Sequence, residues 1–425
     1  MRRLVLYAVS VLLVSSGSYA QSVSSTGANI RSDVNSHQLN GAGVWAWGDG
    51  TFGQLGDPSL PARKPSQFEN PFNEKMFDAL QKENELTRQE IQWRAEPRTI
   101  ENIPDAVDIS AGQAMSCAVV RSGDVYCWGG GSNSPTKVPA ITEAMQVSVG
   151  GNHACAVTQH KAIYCWGSND SGEIGNGSIG GRVDIPTPIS KYSGFVAVTS
   201  GDKHSCGLLE NHRIVCWGAD WGTGSAGWQV DGGFYQGKAR PEPRIIPGLF
   251  HVAKVAAGHE LTCALLENGQ VICWGSELYG GIGHHGYADF GPSLVWSVEG
   301  AVDVAVGFHS VCAVLKTGMI RCWGDNTGGK LGIGTSRDSN GLDVDAEAIG
   351  PVHKISNAVS VAVGWMMACA LTREGTVYCW GDNALGEIGS AGRQVFEPKL
   401  VPGLVGVDQI AAGHSHILAL IRAKP

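Results

Sequence analysis

The twelve cysteines of this chain fall into six pairs with identical spacing. Nine residues separate the two members of each pair, and Trp-Gly follows each second cysteine. The pairs are Cys117 and Cys127, Cys155 and Cys165, Cys206 and Cys216, Cys263 and Cys273, Cys312 and Cys322, and Cys369 and Cys379. They lack the closely spaced cysteines or histidine partners of a zinc site. The spacing therefore indicates six copies of one structural unit.

Each pair is compatible with a β-hairpin. If Cys263 lies opposite Cys273, residues 267–269 form a three-residue loop whose third residue is glycine. Such loops require a left-handed third residue, and Lys161 and His212 are the two exceptions to glycine there. Directly opposed strand positions lie within disulfide range. We predict six cross-strand disulfides; six reduced, buried pairs are the alternative, and they fit a chain that is not exported.

The units recur about every 40–57 residues, a period typical of propellers and solenoids. Each contains a short strand, a glycine turn, the cysteine hairpin, a loop and a last strand. A proline is expected to begin that last strand, at Pro135, Pro186, Pro243, Pro292, Pro351 and Pro398. Four strands per repeat make one propeller blade.

The two ends of the chain complement each other. Residues 44–48 match the third strand of a unit, with Ala46 in place of cysteine, and residues 407–420 match the first two strands, with Leu418 in place of the partner cysteine. We therefore predict an all-β fold, a seven-bladed β-propeller closed by sharing one blade between the termini. An open solenoid with caps is the alternative, and it leaves this joint loss unexplained.

The chain begins with the pattern of a signal peptide, residues 1–20. Arg2 and Arg3 precede a short apolar run, and small residues lie before Gln21; a short signal anchor is the alternative. The domains expected after it are a polar leader (21–42), the propeller (43–420), an insertion within it (57–96) and a tail (421–425). Asn70 and Pro71 resemble a helix start, so the insertion is predicted to be helical, with a mobile linker as the alternative.

The composition of the chain limits the classes of partner that it can bind. The net charge is −8, so no overall positive field attracts nucleic acid. No segment after the predicted signal peptide is long and apolar enough to span a membrane. We expect a monomeric, bacterial protein that is secreted or periplasmic, without a cofactor.

A second motif, Trp-Gly-x-x-x-x-Gly-x-Leu-Gly, is matched at 47–56 and 323–332, and at 380–389 with Ile388 in the place of leucine. With the repeats it resembles the regulator of chromosome condensation repeat family over residues 43–56 and 100–420. The resemblance implies a seven-bladed propeller closed by a shared blade. It also places the family histidine at His153, His204 and His416, while the equivalent positions elsewhere are Met115, Leu261, Ser310 and Met367.

The resemblance does not settle the function. Nuclear members of the family exchange nucleotide on a small GTPase and contact chromatin, partners that an exported acidic chain does not meet. In general architecture the chain is also similar to exported bacterial propeller-type β-lactamase inhibitors, which bind their targets through aromatic loops on one face. That similarity implies a binding module.

The expected site lies on the face that carries the turn between strands one and two and the loop between strands three and four. Aromatic and methionine side chains gather there among glycines, as on binding surfaces. The candidate residues for holding a protein or glycan partner are Trp221, Trp228, Phe234, Tyr235, Tyr279, Phe308, Trp365 and Met366. The alternative is that they pack under the insertion or plug the channel.

A metal-dependent hydrolase or lyase on the same face is the alternative function, although we assign no catalytic residue and no metal ligand. The groups considered are His284, His285 and Asp289 in one loop, Asp343 and Asp345 in another, and the turn histidines His259, His309 and His414. The turn histidines differ by one residue in register, since His259 and His414 directly follow a glycine and His309 does not. Polar caps on the inner strand ends are the favoured explanation of these histidines.

Overall fold

A computed structural model describes most of the predicted propeller. The described residues are 41–63, 92–189, 191–219, 239–275, 291–335, 350–390 and 392–423. The predicted signal peptide lies outside them, as do most of the leader and of the insertion. No helix within the described ranges is long and apolar enough to cross a membrane.

Within the described residues, twenty-eight strands form seven four-stranded antiparallel sheets, and each sheet is one blade. The first strands are β3 (Ala106–Ala111), β7 (Ala144–Val149), β11 (Phe195–Ser200), β15 (Val252–Ala257), β19 (Ala301–Val306), β23 (Ala358–Val363) and β27 (Gln409–Ala412). The second strands are β4 (Met115–Val120), β8 (His153–Thr158), β12 (His204–Leu209), β16 (Leu261–Leu266), β20 (Ser310–Leu315), β24 (Met367–Thr372) and β28 (His416–Ile421).

The third and fourth strands complete each blade. The third strands are β1 (Gly43–Asp49), β5 (Val125–Gly129), β9 (Ile163–Ser168), β13 (Ile214–Ala219), β17 (Val271–Gly275), β21 (Ile320–Gly324) and β25 (Val377–Gly381). The fourth strands are β2 (Trp93–Thr99), β6 (Ser132–Lys137), β10 (Arg182–Pro188), β14 (Ala239–Ile245), β18 (Ser293–Leu294), β22 (Gly350–Pro351) and β26 (Val395–Leu400). One 3₁₀ turn, Thr327–Gly329, lies among the described residues. We number blades 1 to 6 along the chain, from β3–β6 to β23–β26.

The seventh sheet has the order β2-β1-β28-β27, so both termini build it, as predicted. We call it the shared blade. Ala46 lies opposite Leu418 in this sheet, at the register where every other blade pairs two cysteines. Apolar packing and strand hydrogen bonds therefore close the ring where the other blades carry a covalent bond.

All six predicted disulfides are present. The paired cysteines lie directly opposite each other in strands two and three, with Cα atoms 4.1 Å apart. The hairpin loops also match the prediction, because Lys161 and His212, the residues that replace glycine, both adopt a positive φ, 61° and 60°. Such disulfides persist in an oxidising compartment.

The prolines of the fourth strands lie elsewhere than predicted. Only Pro292 directly precedes its strand; the others lie within theirs, as Pro186 lies within β10 and Pro398 within β26. The fourth strand is the outer edge of each blade. A proline, which has no backbone N–H, is tolerated there because the outer side of the strand has no neighbouring strand to accept a hydrogen bond. Strand β2 likewise begins at Trp93, inside the range expected for the insertion. Arg94 forms an ion pair of 2.5 Å with Asp57, which joins the two described ends of that insertion.

Tryptophans connect neighbouring blades. The third-strand tryptophans are all buried: Trp47, Trp128, Trp166, Trp217, Trp274, Trp323 and Trp380. Where both partners lie in the described ranges, the indole N–H donates to a backbone carbonyl in the preceding blade's loop at 2.7–2.8 Å, as in Trp47 to Glu387, Trp128 to Gln54, Trp217 to Glu173 and Trp380 to Lys330. Each carbonyl belongs to the residue directly after the second-to-last glycine of the second motif or, for Glu173, of the equivalent segment 166–175.

A belt of glycines holds the inner ends of the blades together. Every turn between strands one and two begins with glycine: Gly112, Gly150, Gly201, Gly258, Gly307, Gly364 and Gly413. The residue after each glycine donates its N–H to a carbonyl of the next blade's turn, at 3.0–3.3 Å, around the whole ring. A Cβ on any of these glycines would lie 2.2–2.5 Å from the next turn's glycine carbonyl oxygen. Glycine is required because the backbones approach so closely.

Three buried histidines lie directly below the glycine belt. The Nε2 atoms of His153, His204 and His416 each lie 2.8 Å from a hydroxyl of the next blade, on Ser205, Thr262 and Ser116 respectively. Burial lowers their pKa values to about 4 for His153 and about 3 for the other two. The family histidine therefore has a structural role here, as a neutral hydrogen-bonding link between blades.

We predict that Gly201→Ala lowers the free energy of unfolding by about 3 kcal/mol, because its Cβ would lie 2.3 Å from both the Gly258 carbonyl oxygen and the His204 ring. Gly291→Ala is the matched control, since nothing lies within 4 Å of a Cβ there. Thermal and denaturant unfolding measure both. Equal stability of the two variants would contradict the belt.

We also predict that His204→Met reduces the acid sensitivity of the protein; methionine occupies the equivalent position 367 in blade 6. When folding depresses the pKa of a histidine, the histidine contributes its full stabilisation at pH values above the pKa that it has in the unfolded chain. This contribution is lost as the pH falls towards the lower pKa of the folded protein. Between pH 7.5 and pH 5, wild type should lose about 2 kcal/mol more unfolding free energy than the variant. Denaturant titrations at both pH values measure the difference. The control variant His160→Met removes an exposed imidazole and should show the same pH dependence of stability as wild type. If His204→Met also showed the pH dependence of wild type, the assignment of His204 as a neutral link between blades would be refuted.

Candidate functional site

The topology places the variable loops on one face of the ring. The turns between strands one and two and the loops between strands three and four leave the same ends of the sheets. We call this the upper face; the hairpin loops and the links between blades lie on the lower face. The first strands of neighbouring blades pack against each other around the axis, so the glycine belt and the turn residues after it surround the mouth of the channel.

Turn residues of four neighbouring blades form a continuous series of ring contacts, which we call the aromatic arc: His259, Phe308, His309, Trp365 and His414. The ring centroids of His259 and Phe308 are 4.5 Å apart, those of Phe308 and Trp365 are 5.8 Å apart, and those of Trp365 and His414 are 4.1 Å apart. Phe308 and Trp365 are both half-buried, so part of each ring faces solvent.

Trp365 also contacts the two blades that follow blade 6 around the ring. It packs against Phe52 of the shared blade and Ala114 of blade 1. Its indole therefore both packs at the mouth of the channel and contributes to the upper surface. Neighbouring Met366 is half-buried as well, and its carbonyl oxygen accepts the N–H of Asp382 at 2.8 Å.

A buried lysine holds the arc from below. Lys330 Nζ donates to the carbonyl oxygens of Phe308 at 2.7 Å and Trp365 at 3.0 Å. It also lies 2.7 Å from a carboxylate oxygen of Asp325. Burial lowers the pKa of Lys330, and this is opposed by Asp325. Burial acts to raise the pKa of Asp325, but the Lys330 ammonium and the hydrogen bonds from Thr327 together hold that pKa below its usual value.

Lys330 departs from the pattern of its motif position. The equivalent residue of three other blades is Gln54, Glu173 or Glu387. Each of these side chains accepts the backbone N–H of the residue two positions earlier in the chain, at 2.7–2.8 Å. Those side chains cap their own loops, whereas the lysine reaches two neighbouring turns. Lys330 therefore links the loop between strands three and four of blade 5 to the arc residues of blades 5 and 6.

Near the arc, ionisable groups from three blades meet. Ligand atoms of His259, Glu260 and His309 all lie within 4.8 Å of one another. His259 Nε2 lies 3.4 Å from an Asp202 carboxylate oxygen of blade 3. Burial, with His259 and Lys330 nearby, lowers the pKa of His309 to about 4, so its ring is neutral at physiological pH.

The structure brings together only some of the residues singled out from the sequence. Phe308, Trp365 and Met366 lie together on the upper face. Of the three turn histidines, His259 and His309 approach each other, whereas His414 stacks on Trp365. The candidates that lie outside the described residues are Trp221, Trp228, Phe234, Tyr235, Tyr279, His284, His285, Asp289, Asp343 and Asp345.

Glu260, Asp202 and Lys330 were not anticipated. Glu260 directly follows His259, and its charge beside a turn histidine was the available signal. Asp202 occupies the position after a belt glycine, where other blades carry Phe308 or Trp365. Lys330 stands where the motif of another blade has glutamate. All three are visible as departures from the repeat.

Solved structures with the same architecture include yeast Prp20p and human WBSCR16. Prp20p matches with a TM-score of 0.70 and 17% identity over 92% of this chain and 94% of Prp20p. WBSCR16 matches with a TM-score of 0.70 and 18% identity over 91% of this chain and all of that one. At these identities the likeness shows the fold.

Among curated proteins, human E3 ubiquitin-protein ligase HERC2 is 28% identical over 319 residues, 60% of this chain and 6% of HERC2. The mitochondrial RCC1 domain-containing protein RUG3 of Arabidopsis thaliana is 29% identical over 51% of this chain and 50% of RUG3. The Arabidopsis ultraviolet-B receptor UVR8 is 28% identical over 73% of this chain and 74% of UVR8. The chain thus spans only a small part of HERC2 and half of RUG3.

Two family models described as the regulator of chromosome condensation (RCC1) repeat match the chain. One matches residues 106–134, 146–173, 252–280, 301–330 and 358–387, and the other matches 162–208 and 374–420. Together they cover half of the sequence and include strands of all seven blades. In the shared blade they cover the C-terminal strands and not the N-terminal ones. The chain belongs to the regulator of chromosome condensation (RCC1) repeat family.

Proposed function

We propose that this chain is an exported, monomeric binding module that holds a protein or glycan partner on its upper face. The observation that carries the proposal is the aromatic arc, whose half-exposed Phe308 and Trp365 are held from below by Lys330. Aromatic side chains bury a large area while losing few rotamers, so a fixed arc supplies contact area at a small entropic cost.

Proteins of the same fold support a macromolecular partner. Yeast Prp20p is described as binding Gsp1p and histones, and a second solved structure contains it bound to Kap60. These partners are those of Prp20p. Because this chain carries a net charge of −8, it has no overall attraction for nucleic acid, and we propose neither nucleotide exchange nor chromatin binding for it.

Two further features support the proposal. Six disulfides favour an oxidising location, either secreted or periplasmic, and the predicted signal peptide provides the route. Strands β13 and β17 end on the upper face at Ala219 and Gly275, immediately before the segments that contain the other aromatic candidates. We propose that Trp221, Trp228, Phe234, Tyr235 and Tyr279 extend the binding surface.

We predict that Trp365→Ala weakens partner binding roughly ten-fold or more, as expected for an aromatic residue at the centre of an interface. Trp296→Ala is the matched control. It removes the same side chain from the link between blades 4 and 5, on the lower face, where Trp296 is 80% exposed. The partner is first captured on immobilised mature protein from envelope and culture-medium fractions, and its affinity is then measured for wild type and both variants.

The comparison of the two variants decides the face. Loss of binding with Trp365→Ala and not with Trp296→Ala, at unchanged melting temperature, supports the upper face. Loss with Trp296→Ala alone would move the site to the lower face. Equal affinity of all three proteins would contradict a role for the arc.

A further inference from the structure

We propose that the turns of blades 4 and 5 form a binding site for one divalent transition-metal ion of the Zn²⁺ type, with His259, Glu260 and His309 as ligands. This site does not depend on the proposed binding of a macromolecular partner. It belongs to the chain itself, and the metal ion alone tests it.

The donor set has the right composition. Two imidazoles and one carboxylate are a ligand set that Zn²⁺ accepts, with a fourth position left for water. The three ligand atoms lie within 4.8 Å of one another. In a tetrahedral zinc site they would lie about 3.4 Å apart, so the side chains need to close by roughly 1 Å. The proposal requires side-chain rotation within the turns to supply this movement.

The orientation of His259 fits a metal ligand with a supporting partner. Its Nδ1 faces Glu260, 3.9 Å from a carboxylate oxygen, and makes no hydrogen bond to the described residues. Its Nε2 faces the Asp202 carboxylate, at 3.4 Å. A carboxylate behind the second nitrogen of a metal-binding histidine orients the ring and raises its basicity. Asp202 is therefore assigned as the supporting residue.

The backbone of His309 is a second, independent observation. Its φ is +54°, whereas the residues at the same position of the other six turns, all of them described, have ordinary negative φ values. A left-handed conformation is uncommon for a residue with a Cβ, although histidine is among the residues that adopt it most often, and strained backbone positions cluster at functional sites. In this turn the ring of His309 comes within 5.4 Å of the His259 ring, although the two residues differ in register.

The local charge also favours a cation. Glu260 and Asp202 contribute two carboxylates beside the imidazoles. The ammonium of Lys330 is the opposing charge, and Asp325 compensates it at 2.7 Å. Among the seven turns, only those of blades 4 and 5 combine two imidazoles with a carboxylate.

The test uses Zn²⁺ and the full mature chain after treatment with a chelator. We expect titration calorimetry and elemental analysis after dialysis to give about one Zn²⁺ per chain, and Co²⁺ substitution to give the visible absorption of a nitrogen-containing tetrahedral site. His259→Ala and Glu260→Gln should each weaken binding at least about ten-fold, and Asp202→Asn by about ten-fold. His160→Ala, which removes a histidine far from the site, should bind as wild type.

His309 requires a conservative variant because of its backbone. His309→Asn keeps a residue that tolerates a positive φ, so loss of Zn²⁺ from this variant, with its melting temperature unchanged, reports ligand loss. Absence of stoichiometric Zn²⁺ in wild type would overturn the proposal. Undiminished binding by His259→Ala would also overturn it, because the ion would then be held elsewhere.

Discussion

The close approach of seven turn glycines to the next blade's backbone is the constraint on which the rest of this propeller depends. Because a Cβ would lie 2.2–2.5 Å from a carbonyl oxygen at every one of these positions, the inner ends of the blades have a single spacing. A circle of backbone hydrogen bonds follows from that spacing, and the buried histidines of three blades lie within reach of the next blade's hydroxyls for the same reason. The residue after each glycine is thereby fixed at the mouth of the channel.

The belt also explains how the ring closes without a covalent bond. Six blades contain a disulfide between strands two and three, and the shared blade contains Ala46 opposite Leu418 instead. A disulfide there would join the two ends of the chain. The strand pairing of β1 with β28 closes the shared blade. Hydrogen bonds join it to its neighbours: the Trp47 indole N–H donates to the Glu387 carbonyl, and the His414 backbone N–H donates to the Gly112 carbonyl.

Much of the fold could be predicted from the sequence because it repeats. A regular spacing of Cys263 and Cys273 directly implies a cross-strand pair, and the loss of both cysteines in complementary terminal segments implies the shared blade. The fourth strands were harder to place, because Pro186 and Pro398 lie inside edge strands, where a missing N–H has no consequence. A proline there marks the outer edge and leaves the start of the strand undefined.

The candidate site was less predictable because it consists of departures from the repeat. Phe308 and Trp365 stand out as aromatic turn residues, but Lys330, which holds both carbonyls, resembles ordinary variation at a motif position. Likewise, the register difference between His259 and His309 argues against convergence as long as both turns have the same backbone. The positive φ of His309 changes that conclusion, and the tolerance of histidine for a left-handed backbone does not by itself mark this turn in the sequence.

Hydrogen exchange at the seven amides that follow the belt glycines tests the account most directly. These are the N–H groups of residues 113, 151, 202, 259, 308, 365 and 414. The account predicts that all seven, although they lie in turns at the mouth of the channel, exchange only with global unfolding, including those that join the shared blade to its neighbours. Exchange as fast as in the hairpin loops of the lower face would contradict a closed belt, and with it the fixed geometry of the upper face.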